Sequence, residues 1–416
     1  MVADRAGDVW WRPEAFLTLT LMDSPGGTRP SPRVALVHDF LVDLRGADRV
    51  FLAISDIWPD APIYTAICDH DGTEGRFAGR DVRTSFLQKL RPTARSFRAL
   101  LPLYPTAIES FDLSEFDIVI SSSSAWAHAV ICDERTAHVS YCYNPFRYAW
   151  NDRERTLASC PDPVSRAALQ RLLRRWRQWD WIAAQRVDRY LTISRTAQAR
   201  IKSYWRRDSK IVYPPVETSR FKPGPVGGYY MVLSELMRHK RIDVAIAAFN
   251  RLRLPLVIAG DGPDARRLRR EAGRTIEFAG RVSDADVARL LSGCRALVAP
   301  AIEEFGIAAV EAQAAGRPVI APGAGGALET VEPGLTGALF DGTVDDLVRV
   351  VGQFDTEAVD PGACVASAAR FDVAGFRKRL PHEVESSVAS LREGVIERPV
   401  LRPMRERRGG LRRSLA

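Results

Sequence analysis

Two glutamates eight residues apart, Glu303 and Glu311, lie in the part of the chain with the strongest chemical signal. The segment Pro300–Ile320 is predicted to be a loop after an apolar strand, followed by a helix that begins near Gly306. Both carboxylates can face a cleft from the N-terminal end of that helix, where the backbone amides of Phe305 and Gly306 add hydrogen-bond donors. Because carboxylates accept hydrogen bonds from vicinal hydroxyls, this pattern predicts a site for a ribose or a hexose.

Three cations follow a second predicted strand. Arg238, Lys240 and Arg241 come after the apolar run Tyr229–Ser234 and before a predicted helix over Asp243–Asn250. Doubly wound sheets bind ligands at the carboxyl ends of their strands, so this cluster suits a diphosphate. A solvated basic turn is the alternative interpretation.

Turns that follow strands supply further candidate contacts. His38 and Asp39 end the first predicted strand, and Gly46 precedes the next helix, where backbone can approach a phosphate. A tight turn explains that glycine equally well. Val282 lies in a loop whose backbone can meet a nucleotide base, and Gly325 lies in a glycine-rich loop that predicts another anion-binding nest.

These loops need strands to bring them to one edge, and the chain contains two series of short apolar runs that alternate with helical spacing. The alternation predicts an α/β fold of two Rossmann-like doubly wound domains facing across a cleft, joined by the proline-rich segment Tyr213–Pro225. The predicted divisions are a loose N-terminal extension (1–32), an N-terminal Rossmann-like domain (33–216), a C-terminal Rossmann-like domain (217–370), a C-terminal helix (371–397) and a basic tail (398–416).

The composition is ordinary for a soluble chain of 416 residues, of which 46% are hydrophobic and 26% charged. We found no apolar run near the ~20 residues that span a bilayer, and Ala15–Met22 lacks the features of a signal peptide. We therefore expect a cytoplasmic protein. The six cysteines form no CxxC pair, which predicts buried free thiols rather than a disulfide framework or a zinc site: Cys68, Cys132, Cys142, Cys160, Cys294 and Cys364.

The net charge of +8 is concentrated at the C-terminus, where Arg398–Ala416 holds seven arginines and one glutamate. Either the tail is solvated and disordered, or it draws the protein to an anionic membrane surface, at about 1 kcal/mol per well-placed arginine. Nucleic acid is not an expected partner, since neither stacking aromatics nor a recognised fold accompanies the charge. A predicted helix over Arg171–Arg189 either packs on the N-terminal sheet or lies in a membrane interface.

Several strings of residues resemble glycosyltransferase family 4, and in particular the branch with GDP-mannose-using mannosyltransferases of bacterial surface-polysaccharide assembly. The pattern of two glutamates, Glu303 and Glu311, is the family's most specific motif in this chain, and the resemblance extends from Val34 to about Leu380. The other matching strings are His38–Leu41 with Arg45-Gly46, Pro59–Tyr64, Ile118–Ala127, Tyr141–Trp150, Tyr213–Val216 and Glu311–Ala321.

The resemblance implies a GT-B fold, with an N-terminal acceptor domain and a C-terminal domain that binds a nucleotide-sugar donor. It implies that Glu303 touches the donor sugar, that Glu311 binds the ribose, and that Lys240, helped by Gly46, binds the diphosphate. Family members retain the anomeric configuration and need no metal, so no cofactor is expected. Further donor contacts are expected from Phe305, Gly306, Arg238, Arg241, Val282 and Gly325, and acceptor contacts from His38, Asp39, Asn144 and Arg147.

Two positions depart from the family's pattern. Glu235 stands five residues before Lys240, where relatives often have an arginine, and a carboxylate there is unfavourable unless it faces away or pairs with Arg238 or Arg241. Tyr143 stands in the segment where relatives often have a histidine.

Three functions fit these observations. The leading hypothesis is a retaining glycosyltransferase that moves a hexose, with mannose from GDP-mannose as the best guess, to a glycan or lipid-linked acceptor. A nucleotide-sugar epimerase of the same fold and a catalytically silent nucleotide-sugar-binding module are the alternatives.

Overall fold

The computed structural model of the protein describes residues 32–93 and 96–393. Within them, two parallel sheets follow one another along the chain, as the alternation of apolar runs predicts. Strands buried on both faces read as continuous apolar runs, because helices cover both sides of a parallel sheet. The predicted α/β architecture of two doubly wound sheets is confirmed.

The first sheet has seven strands in the order β3-β2-β1-β4-β5-β6-β7. Its strands are β1 (Val34–His38), β2 (Ile63–Thr65), β3 (Val82–Thr84), β4 (Ile118–Ser123), β5 (Ala137–Cys142), β6 (Arg189–Thr192) and β7 (Ser209–Ile211). The helices of this half are α1 (Gly46–Ser55), α2 (Tyr104–Glu109), α3 (Arg153–Ala158), α4 (Pro163–Ala184) and α5 (Arg195–Arg200). The order reverses between β1 and β4, and this reversal leaves a crevice at the carboxyl ends of the strands.

The second sheet has six strands in the order β10-β9-β8-β11-β12-β13, with the equivalent reversal between β8 and β11. Its strands are β8 (Tyr230–Leu233), β9 (Leu256–Ala259), β10 (Ile276–Gly280), β11 (Leu297–Val298), β12 (Val319–Pro322) and β13 (Gly337–Phe340). The helices are α6 (Ile242–Leu252), α7 (Ala265–Glu271), α8 (Asp284–Gly293), α9 (Ile307–Ala314), α10 (Ala327–Thr330), α11 (Val344–Gln353) and α12 (Pro361–Ala369).

The last described helix, α13 (Val373–Arg392), leaves the second sheet and packs against the first. Phe376 meets the ring of Tyr141 on β5 edge to face, and Arg377 pairs with Asp56 at the end of α1. Where the chain crosses back, it runs beside the outgoing linker, and Val216 bonds through its backbone to residues 371 and 373. The two halves are therefore joined by two neighbouring segments of the chain.

Two strands, β3 and β13, were not predicted from the sequence, and each has a physical reason. β3 is a half-exposed edge strand of three residues that includes a charged Arg83. β13 begins at Gly337, where a Cβ would lie 2.0 Å from the carbonyl oxygen of Val319, so close strand approach demands a residue of poor strand propensity.

The predicted helix over Arg171–Arg189 is misplaced. Asp162 caps α4 by accepting from two backbone amides, so the helix starts at Pro163, and it ends at Ala184 because β6 pairs with β5 from Arg189 onward. One face of α4 packs under the first sheet through Leu173 and Trp176, as the core-packing alternative requires. The opposite face is exposed and carries Arg171, Arg174 and Arg175, with Trp181 and Ile182 further along.

The predictions for the N-terminal extension and the basic tail fall on residues outside the described part. None of the described helices is long and apolar enough to cross a membrane. All six cysteines lie in the described residues as free thiols; four are buried, and Cys132 and Cys160 are half-buried.

Candidate active site between the two sheets

A cavity of about 620 Å³ opens between the carboxyl ends of the two sheets. Loops after β1, β4 and β5 form one wall, and loops after β8 and β11 form the other. This is the crevice where doubly wound folds bind ligands, and its volume is that of an ordinary small-molecule site. The predicted residues that line it are His38, Asp39, Gly46, Arg147, Lys240, Glu303, Phe305 and Gly306.

Lys240 and Glu303 form an ion pair in this cavity. The ammonium Nζ lies 2.7 Å and 2.9 Å from the two carboxylate oxygens, and both side chains are partly exposed. The residues are 63 positions apart, and they meet because β8 and β11 are neighbours in the sheet. The structure thus brings together the two residues with the strongest predicted chemical roles.

Glycines hold the Glu303 loop in place. Gly326 donates its backbone N–H to the carbonyl of Glu303 at 2.9 Å, and a Cβ on Gly325 would lie 2.4 Å from that same oxygen. Gly306, with φ +91°, turns the chain into α9 in the left-handed region that glycine tolerates. Gly325 does not line the cavity, and its close packing against the loop accounts for the glycine there.

The neighbouring Glu304 joins the two domains. Its carboxylate accepts from Arg147 at 3.1 Å and from Arg200 at 2.8 Å, both from the N-terminal half. Burial alone would raise the pKa of Glu304, but the two guanidiniums outweigh it and hold that pKa below its usual range. Asn144 lies outside the cavity lining and accepts from Arg200 at 2.7 Å, which extends the same network.

Glu235 also points across the cleft. It accepts from Nη1 of Arg45 at 2.7 Å, and both residues line the cavity. Neither Arg238 nor Arg241 compensates this carboxylate, because the opposite domain supplies its partner. Arg238 is exposed, and Arg241 lies 3.8 Å from Asp243.

On the N-terminal wall, Asp39 is buried and its carboxylate is fully engaged. It accepts from the backbone amides of residues 124–127 at 2.6–3.1 Å and from the Ser124 hydroxyl at 2.8 Å. These bonds shape the loop after β4, which carries Trp126 at the cavity. Asp39 therefore anchors a wall of the site.

A second buried network supports the start of α1. The two ring nitrogens of His38 contact Ser122 Oγ at 3.1 Å and Asp48 Oδ1 at 3.3 Å, and Asp48 accepts from the Arg45 backbone at 3.0 Å. Tyr143 donates to the Ala47 carbonyl at 3.0 Å and also bonds Ser122. Tyr143 thus braces the helix whose first residue, Gly46, faces the cavity.

Glu311 does not line the cavity with Glu303 and Lys240. It lies one turn further along α9, in the field of Arg220, Arg49 and Asp284. Arg49 and Asp284 pair across the domains at 2.9 Å. Removal from water raises the pKa of Glu311 to about 7, against the opposing effect of the two arginines. Val282 is half-buried in apolar packing near the same interdomain contact.

Four polar residues at or near the cavity were not predicted from the sequence: Arg45, Arg200, Glu304 and His239. Glu304 stands inside the quoted motif, and Arg45 stands beside Gly46, so position in a strand-ending loop was an available signal. Arg200 lies at the end of α5 without any distinguishing pattern. His239 lines the cavity, and burial with Arg147 and Lys240 lowers its pKa to about 4, so it is neutral at pH 7.

The described residues contain no group of three or more His, Cys, Asp or Glu side chains that could hold a metal ion. Chemically, the site offers an ammonium and guanidiniums for an anion, carboxylates for hydroxyls, and an apolar lining that includes Trp126 and Phe305.

A family model described as glycosyl transferases group 1 matches residues 217–357. A GDP-mannose-dependent alpha-mannosyltransferase from Corynebacterium glutamicum is 31% identical over 140 residues, which cover 30% of this chain and 34% of that protein. A GDP-mannose-dependent alpha-(1-6)-phosphatidylinositol monomannoside mannosyltransferase from Mycolicibacterium smegmatis is 32% identical over 226 residues, which cover 46% and 56%. The chain thus spans a third to just over half of these relatives' lengths.

Solved structures agree on the fold. The Anabaena protein HepE in complex with UDP has a TM-score of 0.63 at 18% identity, covering 85% of this chain and all of that one. Sucrose-phosphate synthase from Thermosynechococcus elongatus has a TM-score of 0.65 at 15% identity, covering 86% of this chain and all of that one. The predicted GT-B architecture is therefore confirmed, and residues 217–357 match the family model of the group 1 glycosyl transferases.

Proposed function

We propose that this protein is a retaining glycosyltransferase that moves a hexose from a nucleotide-diphosphate sugar to a glycan or lipid-linked acceptor. The observation that carries the proposal is the Lys240–Glu303 ion pair in a cavity walled by both sheets. An ammonium suits the diphosphate of a donor, and a carboxylate beside it suits the hydroxyls of the transferred sugar.

The chemistry asks for stabilisation of a departing nucleoside diphosphate while positive charge grows on the sugar ring. We propose that Lys240 and the amides at the start of α1, which line the same cavity, stabilise that leaving charge. Glu303, released from Lys240 by the incoming diphosphate, is free to accept hydrogen bonds from the sugar.

The acceptor proton needs a base, and a departing phosphate oxygen can serve. The C1–O bond to phosphate breaks while the acceptor oxygen bonds C1 on the same face, and the proton passes to the phosphate oxygen. Because the Asp39 carboxylate already accepts hydrogen bonds from backbone amides, we assign it to shaping the N-terminal wall and not to taking the proton. This route predicts retained configuration and no dedicated protein base.

GDP-mannose is the proposed donor. The two relatives described above are named for GDP-mannose, whereas the solved HepE structure holds UDP. The test is incubation with GDP-, UDP- and ADP-sugars, with and without candidate acceptors, followed by nucleoside diphosphate release and NMR of the product anomer. Release that requires an acceptor supports transfer. Interconversion of donors without an acceptor would identify an epimerase, and binding without any release would identify a silent module.

A lipid-linked acceptor at the inner membrane face is part of the proposal. The relative from Mycolicibacterium smegmatis is named for a phosphatidylinositol monomannoside acceptor. The exposed arginines of α4 and the arginine-rich sequence of Arg398–Ala416 suit an anionic surface. Deleting Arg398–Ala416 should leave activity on a water-soluble acceptor intact. The same deletion should lower the fraction of the protein that co-sediments with phosphatidylglycerol vesicles. Unchanged sedimentation would remove the tail from the proposal.

A further inference from the structure

Glu235 places a carboxylate beside Lys240 on the C-terminal wall of the cavity, which both residues line. Lys240 is already matched by Glu303. Apart from Glu304, which is paired with Arg147 and Arg200, the C-terminal wall offers a diphosphate one ammonium and two carboxylates. This is a poor electrostatic complement for an anion of two or more charges.

The missing cation comes from the other domain. Arg45 reaches across the cleft with Nη1 2.7 Å from Glu235, while its Nε lies 2.9 Å from Asp43. Its side chain remains 41% exposed. A guanidinium has five N–H donors in a planar fork, so these two bonds leave donors free for a second anion.

The backbone at Arg45 also favours an anion. Arg45 is the N-cap of α1, a helix of ten residues whose first residues, Gly46 and Ala47, line the cavity. The amides at a helix start carry partial positive charge, and Arg45 adds a full charge at the same place. Glu235 and Asp43 hold the guanidinium from two sides.

We infer that Arg45 binds the donor diphosphate from the N-terminal domain, and that Glu235 positions it. The inference rests on the proposed function and deepens it, because the cations for one ligand are then divided between two domains. Donor binding and closure of the cleft are thereby coupled through one side chain.

The test compares Arg45→Gln with Arg281→Gln, a matched control. Arg281 also spans the two domains, to Asp43 at 3.2 Å, but it does not line the cavity. Calorimetry measures Kd for GDP, UDP and ADP and for the corresponding monophosphates. Arg45→Gln should weaken the preferred diphosphate at least tenfold and its monophosphate less than threefold, and Arg281→Gln should change neither more than threefold. Equal losses for both nucleotides in Arg45→Gln would overturn the inference, as would no loss.

The double variant Arg45→Gln/Glu235→Arg moves the cation to the opposite side of the same interdomain contact and should recover most of the lost diphosphate affinity. No gain over Arg45→Gln alone would overturn the claim that the two positions serve one ligand. Failure of the unaltered protein to bind any of these nucleotides would instead sink the proposed function, and the inference with it.

Discussion

The two walls of the cleft are built from sheets that share one strand order over six strands, yet they use their polar residues differently. On the N-terminal wall, His38, Asp39 and Tyr143 are buried and bonded within their own domain. On the C-terminal wall, Glu235 and Glu304 reach across to the opposite domain, while Lys240 and Glu303 pair with each other. The buried residues of the N-terminal wall fix its shape, and the charges that a ligand can capture lie on the C-terminal wall and on the two arginines that face it, Arg45 and Arg147.

A predicted site residue can therefore face a cavity and still have no free polar atom for a ligand. Asp39 touches the cavity, but its oxygens are used by the loop that it shapes. The ion pairs of the other wall are partly exposed and therefore exchangeable at small cost. Substitutions on the two walls should accordingly damage different properties.

The largest effect is expected on turnover, from substitutions on the C-terminal wall. Lys240→Ala should lower kcat about 10²–10³-fold, the usual cost of losing a group that stabilises leaving-group charge, while the melting temperature stays near that of the unaltered protein. Glu303→Ala should act similarly. Lys202→Ala, which removes an exposed ammonium paired with Asp208, is the control. Near-normal turnover in both site variants would show that the donor binds elsewhere.

A free-energy change of comparable size, but in stability, is expected from a substitution on the N-terminal wall. Asp39→Ala leaves the buried amides of residues 124–127 without their acceptor, which should lower the free energy of unfolding by about 3 kcal/mol. Urea denaturation measures it, with the exposed Asp208→Ala as control. If Asp39→Ala lost turnover but kept full stability, the contrast between the walls would be wrong.

A smaller effect is expected from Glu311. Its pKa of about 7 exceeds the usual value, so the protein carries this carboxyl protonated below pH 7. If Glu311 binds the ribose, as the family resemblance implies, nucleotide affinity should rise about tenfold between pH 6 and pH 7.5 and then level off, because hydroxyls donate best to the ionised carboxylate. Glu311→Gln, titrated in parallel, should lack this increment and so correct for protonation of the nucleotide itself. Identical slopes would detach Glu311 from the ribose.

The smallest effect is expected at Gly46. A Cβ there would lie 3.5 Å from Ile307 across the cleft, an ordinary contact. Gly46→Ala should therefore change stability by less than about 0.5 kcal/mol and weaken nucleoside diphosphate binding severalfold by blocking close backbone approach. Gly352→Ala, at an open position on α11, is the control. Unchanged binding would place the diphosphate away from the start of α1.

The sequence predicts what depends on local pattern and on the rule that neighbouring parallel strands end at one edge. The meeting of Lys240 with Glu303 follows from that rule, because both residues follow strands beside the reversal of strand order. The partners of Glu235 and Glu304 do not follow from it. Arg45 and Arg200 belong to the other domain, 190 and 104 residues away, and their contacts depend on how the two sheets face one another.

The double crossing at Val216 and α13 restricts how the cleft can open. A single linker would let the domains rotate about any axis, but two chain segments hydrogen-bonded side by side must bend together, and they define one hinge. The interdomain ion pairs, such as Arg49 with Asp284, then lie at different distances from that hinge, and those farthest from it must separate most when the cleft opens.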